Sequence, residues 1–183
     1  RVTHFILSSA SDVYKRQSEC RMLLSTCYQR DQPAAVRYPR GSGAGVEVGT
    51  DLQTVPVGKG VVRVQGEKVA ILAFGSMVAP SLQAASALNA TVADMRFVKP
   101  LDEALISELA ASHDYLITVE ENAVQGGAGS AVLEYLARQK ICKPVLNIGI
   151  ADVVTEHGDP TAILADLGLN AAGIEASIRE FIA

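Results

Sequence analysis

Short apolar runs alternate with helix-forming segments along the chain from residue 66 onward. The run VAILAFG ends at a glycine and is typical of a strand that is buried on both faces of a sheet. Strands that alternate with helices form βαβ units. The sequence therefore predicts an α/β fold with three layers, α/β/α, around a mostly parallel sheet of about five strands. The strands are predicted at residues 69–75, 91–97, 115–120 and 144–150.

Three polar residues predict where helices begin. Asp102, Asp159 and Asn170 each precede an apolar helical stripe, and such side chains accept hydrogen bonds from the first backbone amides of a helix. Pro160 suits the first helical position, because the amide that proline lacks has no partner there.

Charge and composition exclude several classes of function. The 183 residues carry a net charge of -4, so the chain has no basic field for a nucleic-acid backbone. Residues 69–93 contain no charged side chain, but their glycine, proline and polar residues favour a strand, a turn and a helix over a membrane span. The three cysteines lack metal-ligand spacing and predict reduced thiols in a cytoplasmic protein. We expect neither a nucleic-acid partner nor a membrane partner.

The region before residue 61 has a different pattern. Residues 41–60 are rich in glycine and predict a linker. Residues 18–27 predict a helix and residues 34–38 a short strand, and two such elements are too few to bury a core. We interpret residues 18–40 as the tail of a domain whose body lies upstream, and we expect exposed apolar side chains where that body would pack.

The glycine loop at residues 126–130 is a candidate nucleotide site, because it lies between a predicted strand and a predicted helix. Residues 122–125 separate the strand from the glycines, however, and the carboxylates of Glu120 and Glu121 would repel a pyrophosphate. Close packing of the helix against the sheet is the alternative role of these glycines.

No catalytic or metal centre follows from the spacing of the other polar residues. Glu120 and Glu121 are neighbours on a predicted strand and point to opposite faces, so they cannot act as an acid–base pair. His113 is expected near a helix end, either as a favourable cation at the helix dipole or as a surface residue. His157 is expected to organise its loop.

Two arginines flank a proline in the segment Arg37-Tyr38-Pro39-Arg40. The proline restricts the local backbone, and a guanidinium group binds phosphate through a planar fork of donors. Arg37 and Arg40 are therefore candidate phosphate ligands, with a solvated basic turn as the alternative interpretation.

Five motifs occur in an order that resembles one enzyme family. From about residue 18 onward the chain is similar to the 1-deoxy-D-xylulose-5-phosphate synthases, which are transketolase-like thiamine diphosphate enzymes. The β subunits of 2-oxo acid dehydrogenases share the pattern of a strand, a glutamate pair and a glycine loop. The combination of RYPRG with MRFVKPLDE limits the resemblance to the synthases. The motifs are AVRYPRG (35–41), GKG (58–60), VADMRFVKPLDE (92–103), TVEENAVQGGAGS (118–130), and LNIGI followed by Asp152 and HG (146–158).

The resemblance implies an enzyme of three α/β domains, of which this chain holds the last parts. Residues 1–17 look foreign to the family pattern and are interpreted as an appended, artefactual segment. Residues 18–40 would be the tail of the pyrimidine-binding domain, residues 41–60 a linker, and residues 61–183 the transketolase C-terminal domain. The implied reaction decarboxylates pyruvate and joins its two remaining carbons to glyceraldehyde 3-phosphate. The product, 1-deoxy-D-xylulose 5-phosphate, serves isoprenoid, thiamine and pyridoxal synthesis.

The resemblance also implies residue roles and partners. Arg37 matches the family residue that holds the phosphate of the aldehyde, and Arg40 is a second candidate for the same anion. The family enzyme is a homodimer that uses thiamine diphosphate and Mg²⁺, whose ligands lie upstream. We therefore expect no catalytic, cofactor-binding or metal-binding residue in this chain, and no activity from it alone. The family usually has proline where Ala151 stands, which predicts a less rigid loop after it.

Three alternative functions stay open at this point. One is the C-terminal domain of the β subunit of a 2-oxo acid dehydrogenase. Another is a stand-alone nucleotide-binding α/β module that uses the glycine loop. The third is a purely structural interaction domain.

Overall fold

Strands and helices alternate throughout the part of the chain that the computed structural model describes, residues 5–8, 16–38, 52–155 and 157–183. No helix in these ranges is both long and apolar enough to cross a membrane. The strands are β1 (Phe5–Ser8), β2 (Ala34–Arg37), β3 (Val61–Val64), β4 (Val69–Ala73), β5 (Thr91–Asp94), β6 (Phe97–Lys99), β7 (Tyr115–Ala123) and β8 (Val145–Ile150). The helices are α1 (Arg16–Tyr28), α2 (Val78–Leu88), α3 (Glu103–Ser112), α4 (Ala128–Arg138), α5 (Pro160–Asp166) and α6 (Ala171–Ile182), and a 3₁₀ turn (Gly75–Met77) precedes α2.

The main sheet has five strands within the described residues, in the order β3-β5-β4-β7-β8. The strands β5, β4, β7 and β8 run parallel, and β3 is antiparallel to β5. All five side chains of the central strand β4 are buried, as its uninterrupted apolar sequence predicts. The α/β class and the mostly parallel sheet are confirmed.

Two apolar layers lie on opposite faces of the main sheet. Alternate residues of a strand point to opposite faces, so Ile71 packs in the layer that includes residues of α2 and α6. Leu72 packs in the other layer, which includes residues of α3 and α4. Each fully buried leucine or isoleucine contributes about 1.5–3 kcal/mol. This arrangement is the predicted three-layer α/β/α architecture.

The three predicted helix starts are confirmed. The side chains of Asp102, Asp159 and Asn170 each accept a hydrogen bond from a backbone amide three residues further on. The donors are the amide nitrogens of Leu105, 3.2 Å from the Asp102 oxygen, of Ala162, 3.0 Å from the Asp159 oxygen, and of Gly173, 2.8 Å from the Asn170 oxygen.

The predicted strand over residues 91–97 is wrong in its second half. The strand β5 ends at Asp94, and Phe97 begins β6 in a different sheet. Arg96 lies between them with a φ of 55°, in the left-handed region. This conformation turns the chain out of the main sheet, although the apolar Met95 and Phe97 continue the pattern of a strand.

A second, three-stranded sheet has the order β2-β1-β6 among the described residues. The strand β1 belongs to segment 1–17, and it pairs in parallel with β2 from Phe5–Ala34 to Ser8–Arg37. It pairs in the antiparallel direction with β6. The domain boundaries at residues 17, 40 and 60 stay predictions.

Apolar side chains are exposed on the described part of the region at residues 18–40. Leu24 and Tyr28 lie one helical turn apart on α1, and their exposed fractions are 47% and 90%. Tyr38 follows β2 and is 63% exposed.

Candidate functional site

Arg37, the first predicted phosphate ligand, is the last residue of β2 and is exposed. Its Nη2 donates a hydrogen bond to the backbone carbonyl oxygen of Glu121 at 3.3 Å. Within the described ranges this is its one hydrogen bond, so the other guanidinium donors stay available to an anion. Arg40, the second predicted ligand, lies outside the described residues.

The Glu121 carboxylate points to a different partner. The Ser76 hydroxyl donates to Oε2 of Glu121 in a very short contact. Ser76 lies in the 3₁₀ turn after β4, and the preceding Gly75 has a φ of 66° that places this turn over the carboxyl end of the sheet. Glu121 therefore contacts Arg37 through its backbone carbonyl oxygen and Ser76 through its side-chain carboxylate.

The glycine loop holds a carboxylate of the chain itself. Glu120 is 3% exposed, and its two carboxylate oxygens accept hydrogen bonds from the backbone amides of Ala128 and Gly129, both at 2.8 Å. A helix N-terminus favours an anion, and here the Glu120 side chain is that anion. A Cβ on Gly127 would overlap this carboxylate, so the glycine allows a close approach.

This geometry argues against the nucleotide-binding alternative. A bound phosphate would need the amides of α4 that Glu120 already occupies. Glu120 and Glu121 also contact different elements, because Glu120 contacts α4 and Glu121 contacts the turn after β4. The two carboxylates do not form an acid–base pair, in agreement with the strand-based prediction.

His113 lies at a helix end, as predicted, but the alternative that it is a surface residue is wrong. Its side chain is buried, with 8% exposed, at the end of α3. Its Nδ1 lies 3.1 Å from the carbonyl oxygen of Leu109, which can only accept, so Nδ1 carries the proton of this bond. Its Nε2 lies 2.7 Å from the Thr91 hydroxyl. The histidine therefore ties α3 to β5, whereas His157 is exposed.

Four charged side chains form a cluster between α1, β3 and the end of β5. Arg63 Nη2 donates to Glu19 Oε1 at 3.1 Å and to Asp94 Oδ2 at 2.7 Å. Arg96 Nε donates to the same Glu19 oxygen at 2.6 Å. Burial and the nearby Glu19 raise the pKa of Asp94 to about 6, against the opposing effect of the arginines. We call this set, Glu19, Arg63, Asp94 and Arg96, the ionic cluster.

The sequence prediction missed the ionic cluster. Its members lie up to 77 residues apart, so local spacing does not reveal it. One signal was present: Asp94 and Arg96 are charges within the otherwise apolar run TVADMRF. Charges in a buried strand need partners, and this requirement points to an ion-pair network.

The described residues do not fit a resident metal or thiamine diphosphate. They contain no group of three His, Cys, Asp or Glu side chains placed to hold a metal ion. The N-terminus of α4, which follows the glycine loop, binds the Glu120 carboxylate and so has no free amides there for a diphosphate. The three cysteines are unpaired, and burial raises the pKa of the Cys27 thiol.

Comparisons with known proteins give close relatives. The transketolase C-terminal domain matches residues 58–174. A Neisseria gonorrhoeae protein named 1-deoxy-D-xylulose-5-phosphate synthase is 61% identical over 181 residues, which are 99% of this chain and 28% of that protein. A Cupriavidus taiwanensis protein of the same name is 62% identical over 90% of this chain and 26% of its own length. This chain therefore spans little more than a quarter of the length of these relatives. The alignment with the Neisseria gonorrhoeae protein includes nearly all of segment 1–17.

A solved structure has the same fold at lower identity. Its title is "Split gene transketolase, inactive beta4 tetramer", its TM-score is 0.79, and it is 29% identical to this chain. The match covers 97% of this chain and 57% of that one.

Proposed function

We propose that this chain, which belongs to the transketolase C-terminal domain family, is the C-terminal part of a 1-deoxy-D-xylulose-5-phosphate synthase. The observation that carries the proposal is the 61% identity, over nearly the full chain, with a relative of that name. The whole enzyme would join two carbons of pyruvate, after loss of CO₂, to glyceraldehyde 3-phosphate. Its product would be 1-deoxy-D-xylulose 5-phosphate.

Two other functions have less support. The β subunit of a 2-oxo acid dehydrogenase shares the glycine-loop pattern, but the two relatives that are about three-fifths identical carry the synthase name. A stand-alone nucleotide-binding module needs free amides at the start of α4, and these amides bind Glu120.

Arg37 is the residue that we assign to the phosphate of glyceraldehyde 3-phosphate. Its guanidinium group is exposed, and only one of its donors is used by a described partner, the Glu121 carbonyl. A planar fork of free donors suits a phosphate dianion. Arg40, three residues after the end of β2, is the second residue proposed for the same anion.

We propose that the cofactor sites lie in parts of the whole protein outside this chain. Thiamine diphosphate supplies the electron-sink chemistry of such reactions, and the protein positions it against the substrate. Because the described residues fit neither this cofactor nor Mg²⁺, we expect this chain alone to be inactive. We further propose a cytoplasmic homodimer, and the exposed Leu24 and Tyr28 are suited to pack against the rest of such a protein.

A hybrid enzyme tests the proposed function. This chain replaces the matching 28% of the gonococcal relative, and the hybrid receives ¹³C-labelled pyruvate, glyceraldehyde 3-phosphate, thiamine diphosphate and Mg²⁺. We expect labelled 1-deoxy-D-xylulose 5-phosphate by NMR. A hybrid that is folded by circular dichroism and gel filtration but releases no product would contradict the proposal. A narrower hybrid that exchanges residues 58–174 serves if the wider one does not fold.

A further inference from the structure

Glu121 contacts the exposed Arg37 through its backbone carbonyl oxygen, whereas its carboxylate contacts another residue. The guanidinium group meets the Glu121 carbonyl oxygen at 3.3 Å. The carboxylate of the same residue accepts the hydroxyl hydrogen of Ser76. The Arg37 guanidinium group and the Glu121 carboxylate therefore have different partners, although the guanidinium group contacts the backbone of Glu121.

A released Glu121 carboxylate would compete with a phosphate for Arg37. The Arg37 guanidinium already touches the main chain of Glu121, so a rotated glutamate side chain is long enough to reach it. Carboxylates bind guanidinium groups with the same two-pronged geometry as phosphates. An internal ion pair would lower the affinity of Arg37 for an external anion, because the pair must open first.

The turn that carries Ser76 is tied to β7, the strand of Glu121. The backbone amide of Phe74 donates to the Val119 carbonyl oxygen at 2.9 Å, beside the turn. Within the turn, the Met77 amide donates to the Phe74 carbonyl oxygen at 3.3 Å, and Gly75 is buried. These contacts place the serine hydroxyl beside β7, where it holds the Glu121 carboxylate.

We propose that Ser76 is a positioning residue, which keeps the Glu121 carboxylate away from Arg37 and so leaves Arg37 open to the phosphate of the substrate. This inference rests on the proposed function for its substrate. The anion-binding property of Arg37 is also measurable without catalysis.

Kinetics of the hybrid enzyme give the first test. The variant Ser76→Ala frees Glu121, and we expect the KM for glyceraldehyde 3-phosphate to rise about two- to fivefold, the range that an exposed ion pair produces. The KM for unphosphorylated glyceraldehyde should not change. Ser76→Thr keeps the hydroxyl and should keep the parent KM. Ser86→Ala removes an exposed serine from α2 and is the matched control.

A double variant distinguishes positioning from a structural effect. Glu121→Gln removes the competing charge, so Ser76→Ala combined with Glu121→Gln should restore the parent KM for glyceraldehyde 3-phosphate. A merely structural loss at Ser76 would persist in the double variant. Equal KM values for Ser76→Ala and the parent would overturn the proposal.

Chemical protection of Arg37 gives a test that needs no turnover. Phenylglyoxal modifies exposed arginines, and inorganic phosphate bound to Arg37 should protect it. Mass spectrometry of the Arg37 peptide gives the phosphate concentration at which the modification falls to half. In the hybrid, Ser76→Ala should raise this phosphate concentration about two- to fivefold, and the double variant should restore it. A hybrid without product but with this shift would refute the proposed function and support the role of Ser76. An unchanged concentration would refute the role of Ser76 whatever the activity.

Discussion

Replacement of Glu120 by glutamine is predicted to destabilise the domain strongly. The buried carboxylate accepts two hydrogen bonds of 2.8 Å from the amides of Ala128 and Gly129. A glutamine side chain has one carbonyl oxygen, so it can satisfy one amide and presents an NH₂ group to the other. A hydrogen bond to a charged group contributes about 1.5–3 kcal/mol, and an unsatisfied buried donor costs about 1–3 kcal/mol. We therefore expect Glu120→Gln to lower the free energy of unfolding by about 2–4 kcal/mol.

Urea unfolding of this chain, followed by circular dichroism, measures the effect. The matched control is Glu121→Gln, which changes the neighbouring glutamate on the same strand. Glu121 is half-buried and makes no hydrogen bond to α4 within the described residues, so this variant should lose less than about 1 kcal/mol. Equal losses for the two variants would refute the argument that Glu120 caps α4.

Three further predictions concern the ionic cluster and the glycine loop. The raised pKa of Asp94, about 6 against an ordinary value of 3.8, means that the folded state binds the proton more tightly. The free energy of unfolding should therefore fall by about 2 kcal/mol as the pH rises from about 4 to about 6, and Asp94→Asn should remove this slope in urea titrations. Gly127→Ala places a Cβ against the Glu120 carboxylate and should lower the free energy of unfolding by about 1–3 kcal/mol. Calorimetry should detect this loss as a lower melting temperature, and an unchanged melting temperature would contradict the close approach. Isothermal titration with ATP or NAD at millimolar concentrations should give no saturable binding, since Glu120 occupies the helix N-terminus.

The main elements of the fold could be predicted from local sequence because their causes are local. The apolar run of β4 and the capping side chains of Asp102, Asp159 and Asn170 act on residues that are close in the sequence. The split of the predicted strand at residues 91–97 could not be predicted in this way. It depends on the left-handed Arg96 and on the pairing of β6 with the distant β1.

The site was predictable only in part for the same reason. The motif predicts Arg37 as a phosphate ligand, which stays a prediction, and it gives no sign of the contact with Glu121, because that contact joins residues 84 positions apart. The burial of His113 does not follow from local sequence, because its partner Thr91 lies 22 residues earlier. The role of Glu120 as the cap of α4 depends on how the loop folds back, and the sequence pattern indicated only that glycines allow close packing there.

The variant Arg37→Gln in the hybrid enzyme tests the central claim, that this chain supplies the phosphate ligand of a sugar phosphate synthase. Loss of a charged hydrogen-bond donor should raise the KM for glyceraldehyde 3-phosphate about ten- to a hundredfold, while the KM for unphosphorylated glyceraldehyde stays at the parent value. Equal KM values of variant and parent for glyceraldehyde 3-phosphate, or equal increases for both aldehydes, would contradict the claim.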